Sequence, residues 1–300
     1  MSGSSKATNS AAVAAPVDFR SVGLCVRHVG SGMDTPCVLK DLNLQIRRGE
    51  QIAVIGASGA GKSTLLAALA MAREPHEGRL EVFGAAPWSQ TSGVRHRLRR
   101  RLFLAPQVPP LPPRQRVVDA VLAGRVPRWS FSKALRSLIH PRDAGVARAA
   151  LARFSLEDKL FDRVDRLSGG ERQRVALARL LVAEVDAFLV DEPLSALDPT
   201  LAAQSLAGLQ RAAAERGATL VCSLHQVELA HAQFPRLVGL RDGSVMFDLP
   251  RERVDQAMLD ALYANAASGT TTSRSADSAT SGPETKDDDL PLHIADGSLL

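Results

Sequence analysis

The chain has 300 residues, 45% of them hydrophobic, enough to bury a sizeable core in one or two domains. Lys and Arg number 37 against 32 Asp and Glu, and the net charge of +5 allows an anionic partner without selecting one. No run approaches the roughly 18 apolar residues of a membrane-spanning helix. The Ala-rich run at residues 11–17 lacks the basic flank of a secretory signal, so the chain is expected to stay in the cytoplasm. Cys25, Cys37 and Cys222 are odd in number and unpatterned, which points to reduced structural thiols rather than a disulfide framework or a zinc site.

Residues 1–17 are mostly Ser, Ala, Gly and Asn with little to bury, and are expected to form a disordered leader. Residues 51–55 make a short apolar run of strand length that ends at Gly56, and residues 63–71, rich in Ala and Leu, read as a helix. The basic run Arg95-His96-Arg97-Leu98-Arg99-Arg100-Arg101 has no interleaved aromatics to stack bases and leads into an apolar strand at 102–105. It reads as a solvated approach to a buried strand, and no nucleic-acid partner is expected. Residues 108–166 open on Pro109, Pro110, Pro112 and Pro113, a rigid connector, and continue with helical patterns at 117–124, 131–139 and 144–154. Further along, helical patterns at 173–182 and 201–215 alternate with buried strands at 187–190 and 218–224. This alternation predicts an α/β core with a largely parallel sheet, interrupted by a helical insertion at about 108–166. Residues 266–300 resemble the leader in composition and are expected to form a disordered tail, leaving a folded unit at 18–265.

Three segments carry chemistry, and each lies at a strand end or a helix start, where ligands of parallel sheets collect. Gly56-Ala57-Ser58-Gly59-Ala60-Gly61-Lys62-Ser63-Thr64 fits G-x-x-x-x-G-K-[ST] without departure. The glycines let successive N–H groups curl toward phosphate oxygens, and the following helix offers its positive end. Lys62 adds a point charge between the outer phosphates, and the Ser63 hydroxyl can ligate Mg²⁺. The run 187–190 delivers Asp191 beside that cation, and Glu192, one residue on, can polarise an attacking water. Ser168-Gly169-Gly170-Glu171 forms a second anion-binding helix start in the same chain. One nucleotide cannot lie on both helix starts of a monomer when they are far apart. A head-to-tail homodimer resolves this by sandwiching ATP between one phosphate loop and the other subunit's Ser-Gly-Gly.

Leu167-Ser168-Gly169-Gly170-Glu171 resembles the signature motif of ATP-binding cassette proteins, and the likeness extends over residues 18–265. The resemblance implies a P-loop NTPase core with an N-terminal antiparallel β subdomain and an inserted helical subdomain. It further implies that Gln107 senses Mg²⁺, water and the membrane partner, that Asp198 belongs to a D-loop crossing the dimer interface, and that His225 is the switch histidine at the γ-phosphate. His28 stands where the family usually has an aromatic residue stacked on adenine. With no membrane helices and a single set of motifs, the chain resembles an importer-type ATPase that drives separate permease chains and, through them, serves a periplasmic binding protein. Residues 121–125, 223–227, 243–248 and 262–263 resemble the phosphonate-importer ATPases, which implies a peripheral subunit on the cytoplasmic face of the bacterial inner membrane. An ATPase subunit of a cytoplasmic enzyme assembly, or of a transporter for another cargo, would show the same motifs.

Overall fold

A computed structural model of the chain describes residues 15–28, 35–128, 143–195 and 197–264. Its strands fall into two sheets. Strands β1 (Val17–Val26), β2 (Leu39–Arg47) and β4 (Glu77–Val82) form an antiparallel sheet in the order β2-β1-β4. On β2, burial alternates along most of the strand, as expected for a sheet covered on one face only.

The second sheet has the order β5-β6-β7-β3-β8-β9, with β3 (Gln51–Ile55), β5 (Leu102–Ala105), β6 (Ala187–Asp191), β7 (Thr219–Leu224), β8 (Arg236–Arg241) and β9 (Ser244–Pro250). All its pairings are parallel except β8 with β9. Every residue of β6 and β7 is buried, the mark of strands covered on both faces. Because successive side chains point to opposite faces, Leu189 joins one core with Leu65, Leu66 and Phe19, while Phe188 and Val190 join another with Val175 and Leu206. The first core holds α1 (Lys62–Leu69) and the antiparallel sheet; the second holds the remaining long helices.

Between β5 and β6 the chain forms α3 (Val117–Leu122), a 3₁₀ turn (Ala123–Arg128), α4 (Ala144–Ala152) and α5 (Gly169–Val182). Residues 113–118 are laced to 160–165 by backbone bonds, among them Val118 N–H to Leu160 O at 2.9 Å and Val164 N–H to Gln115 O at 3.0 Å. Gly124 lies against α5 so closely that a Cβ there would meet Arg179 O at 2.3 Å. The helical pattern at 131–139, the leader through residue 14 and the tail from residue 265 lie outside the described residues. Beyond β6 come α6 (Pro199–Glu215), α7 (Val227–Gln233) and α8 (Gln256–Tyr263). Arg236 on β8 ties the two sheets: it holds Asp248 of β9 through two bonds of 2.7 Å, Glu50 before β3 at 2.6 Å and the Gln45 carbonyl of β2 at 2.9 Å.

Two expectations need correction. The basic run is not merely a solvated approach: most of it forms α2 (Ser92–Arg99), whose N-terminus is capped by Thr91. Its arginines cover aromatic rings that lie elsewhere in the sequence, Arg95 at 4.8 Å from the Trp88 centroid and Arg101 at 4.0 Å from that of Phe83. Arg101 also pairs with Asp186 at 2.6 Å. The cysteines are not all free thiols either. Cys25 near the end of β1 is joined to Cys37 just before β2, since antiparallel pairing brings their Cα atoms to 5.9 Å, within disulfide range. Cys222 is free and buried on β7.

Candidate functional site

The carboxyl ends of β3, β6 and β7 lie side by side, in parallel registers that pair Ile55 with Leu224 and Asp191 with Ser223. After β3 the chain turns through Gly56, Ala57, Ser58, Gly59, Ala60 and Gly61 into α1. Gly56, Gly59 and Gly61 all have positive φ. A Cβ on Gly56 would stand 2.1 Å from Leu240 O, so only glycine fits between this loop and β8. Lys62, the first residue of α1, is buried, and its ammonium donates to the carbonyls of Gly56 at 2.9 Å and Ala57 at 3.1 Å. Ser63 is exposed and Thr64 half-buried. Burial lowers the Lys62 pKa, and the opposing attraction of Glu192 and Asp191 does not cancel that effect. The ammonium lies 3.8 Å from Glu192 Oε1, at the edge of ion-pair range.

Glu192 is the hub. Its Oε2 accepts a 2.6 Å bond from Gln107 Nε2, and its Oε1 lies 2.5 Å from His225 Nε2. Glu192 is 8% exposed and takes a left-handed backbone conformation, φ 46°, which costs a non-glycine residue about 1 kcal/mol or more. Residues from four parts of the chain thus meet on one carboxylate: Lys62 after the phosphate loop, Gln107 after β5, His225 after β7, and Glu192 itself after β6. Asp191 is buried at the end of β6 and accepts a 2.5 Å bond from Ser223 Oγ.

The remaining candidate residues stand apart from that hydrogen-bonded cluster. Ser168 caps α5: its hydroxyl accepts from Glu171 N at 3.2 Å, and the Glu171 carboxylate accepts from Ser168 N at 2.7 Å. These bonds hold the Glu171 carboxyl below its usual range. A Cβ on Gly169 would meet nothing within 4 Å. Gly170 follows within the first turn of α5. Asp198 is the N-cap of α6, accepting from Leu201 N at 3.0 Å. His28 is exposed two residues beyond β1. Two contributors went unnoticed in the sequence. Gln173 donates from α5 to Pro193 O at 2.7 Å, and Ser223 bonds the carboxylate strand. A lone serine in an apolar strand was the one available signal for Ser223.

The residues fit a nucleotide with a hard cation. A loop in which a Cβ on Gly56 or Gly61 would clash precedes a helix N-terminus and a buried ammonium, which suits phosphates. Among the described residues no group of three or more His, Cys, Asp or Glu could hold a metal alone. Magnesium fits such a place, because it takes one or two protein oxygens and completes its shell with phosphates and water.

The family model described as ABC transporter matches residues 39–195, from the start of β2 to just past Glu192. The chain belongs to the ABC transporter family. It is 57% identical over 242 residues to the phosphonates import ATP-binding protein PhnC 2 of Albidiferax ferrireducens, covering 81% of this chain and 87% of that protein. It is also 57% identical to the phosphonates import ATP-binding protein PhnC of a Polaromonas species, over 79% of this chain and 86% of that one. Solved structures share the fold of the cassette. A dimeric ATP-binding cassette in a post-hydrolysis state bound to ADP and Pi superposes with a TM-score of 0.66 at 24% identity, over 78% of this chain and 98% of that one. An ATP-binding subunit of an ABC transporter does so with a TM-score of 0.65 at 24% identity, over 83% and 99%. Among the described residues of the cassette, no helix is long and apolar enough to cross a membrane.

Proposed function

We propose that this cassette is the ATP-hydrolysing subunit of an importer, and that it powers uptake of phosphonate or a related phosphorus oxyanion through separate permease chains. It works as a homodimer held at the cytoplasmic face of the inner membrane and serves a periplasmic binding protein indirectly. The observation that carries the hydrolase reading is the convergence of Lys62, Gln107 and His225 on the Glu192 carboxylate. The cargo reading rests on the relatives that are 57% identical and bear the phosphonate-import name.

In this reading the N–H groups of residues 57–64 and Lys62 cradle the β- and γ-phosphates, and His28 packs on the adenine. Ser63, Asp191 and Gln107 hold Mg²⁺, which neutralises phosphate charge when bound. Glu192 accepts the proton of the attacking water, and Gln107 and His225 orient its two oxygens. Ser168, Gly169 and Gly170 of the partner close the site from the opposite side, with Glu171 holding Ser168 in place and Asp198 lying at the interface. A knockout strain tests the cargo: growth with a phosphonate as sole phosphorus source is expected to stop, while growth on phosphate continues. Complementation is expected to require both Lys62 and Gln107. Unimpaired phosphonate uptake in the knockout would remove the cargo and leave the hydrolase reading in place.

A further inference from the structure

We infer that Ser223 is a positioning residue that sets the Asp191 carboxylate and the peptide of Glu192, a reading that rests on the proposed ATPase function. Ser223 is fully buried at the end of β7, and its register partner across the parallel pair is Asp191. A hydroxyl has one proton to give and lone pairs to receive with. The proton goes to Asp191 Oδ1 at 2.5 Å, because a carboxylate can only accept. A lone pair receives the Glu192 N–H at 2.9 Å, and the Ser223 carbonyl receives the same N–H at 3.2 Å. One side chain therefore turns Asp191 so that its other oxygen is left for a cation. It also fixes the peptide of Glu192, whose left-handed φ of 46° needs support from its surroundings. No neighbour duplicates this pair of bonds: Cys222 reaches only the Ser223 carbonyl, and Leu224 is apolar.

Alanine at 223 removes the donor to Asp191 and the stronger acceptor for Glu192 while leaving the phosphate loop untouched. The test measures binding of a fluorescent ATP analogue with EDTA and with Mg²⁺, alongside steady-state hydrolysis. For Ser223→Ala, affinity in EDTA is expected to stay within twofold of the parent. The gain in affinity on adding Mg²⁺ is expected to fall at least fivefold and kcat about tenfold, the scale of one charge-assisted hydrogen bond. Ser223→Thr keeps the hydroxyl, and where its EDTA affinity matches the parent it is expected to restore the Mg²⁺ gain. A Ser223→Ala protein with parental Mg²⁺ gain and kcat would overturn the assignment, as would loss of affinity already in EDTA, which would make the hydroxyl a folding element. A parent protein that neither binds nor hydrolyses ATP would instead remove the ATPase reading itself.

Discussion

His225 reaches Glu192 from the end of a neighbouring strand, its Nε2 2.5 Å from Oε1, while Gln107 holds the other oxygen at 2.6 Å. Both carboxylate oxygens are thus engaged, and the Lys62 ammonium lies 3.8 Å from Oε1. Replacing the carboxylate by an amide keeps the shape and removes the basicity. Glu192→Gln is expected to bind ATP with parental affinity and hydrolyse it at least ~100-fold more slowly, the scale of losing a general base. Turnover near the parental rate would take the base role away from Glu192.

The proposed sandwich places Lys62 and Ser168 on one nucleotide from opposite subunits. Mixing Lys62→Ala chains with Ser168→Arg chains is expected to give heterodimers with one site doubly damaged and the other intact. Nucleotide-occupancy measurements on the isolated heterodimer would show one competent site. Two equally impaired sites would contradict the head-to-tail arrangement.

The three thiols are expected to separate by chemistry. Without reductant, iodoacetamide should label none of them in the native protein, because Cys25 and Cys37 are bonded and Cys222 is buried. After reduction, the half-buried Cys37 should react first, while Cys25, only 6% exposed, reacts slowly and Cys222 remains protected until denaturant is added. Burial pushes the Cys222 thiol up, so the reactive thiolate stays scarce at pH 8. Native labelling of Cys222 would show that β7 opens far more readily than its burial implies.

Two glycines make a paired test of packing. Gly124→Ala forces a methyl to within 2.3 Å of Arg179 O and is expected to cost about 1–3 kcal/mol, as overpacking does. Gly208→Ala, inside α6 with open space around it, is expected to stabilise by about 0.5–1 kcal/mol through helix propensity. Equal effects of the two changes in chemical denaturation would refute this packing of α5 against the 3₁₀ turn.

The parallel sheet was legible because its strands are buried on both faces and therefore read as unbroken apolar runs, as at 51–55 and 187–190. The antiparallel strands were hard to see. Strand β1 carries irregular register shifts, and β4 holds Gly78 at φ 82°, so neither shows a clean alternation. Helix α2 was hidden by its composition, since six of its eight residues are polar or glycine and only Leu98 is buried. The disulfide depends on strand pairing across 12 residues of sequence, which no spacing rule supplies. Lys62, Asp191 and Glu192 could be found from local patterns at strand ends. The contact of Gln107 with Glu192 spans 85 residues, and that of Ser223 with Asp191 spans 32, so both became visible only once β5, β6 and β7 lay side by side.

Arg236 carries a consequence for cooperativity. Its guanidinium engages β9 and the Glu50 carboxylate before β3 while reaching the β2 carbonyl of the other sheet. Neither sheet can loosen at this corner without stranding a half-buried cation and the acids paired with it, a penalty larger than that of an ordinary surface contact. The antiparallel sheet and the phosphate-loop sheet should therefore melt in a single transition, with calorimetric and van't Hoff enthalpies in agreement. Arg236→Met should split that transition in two, with the antiparallel sheet unfolding first.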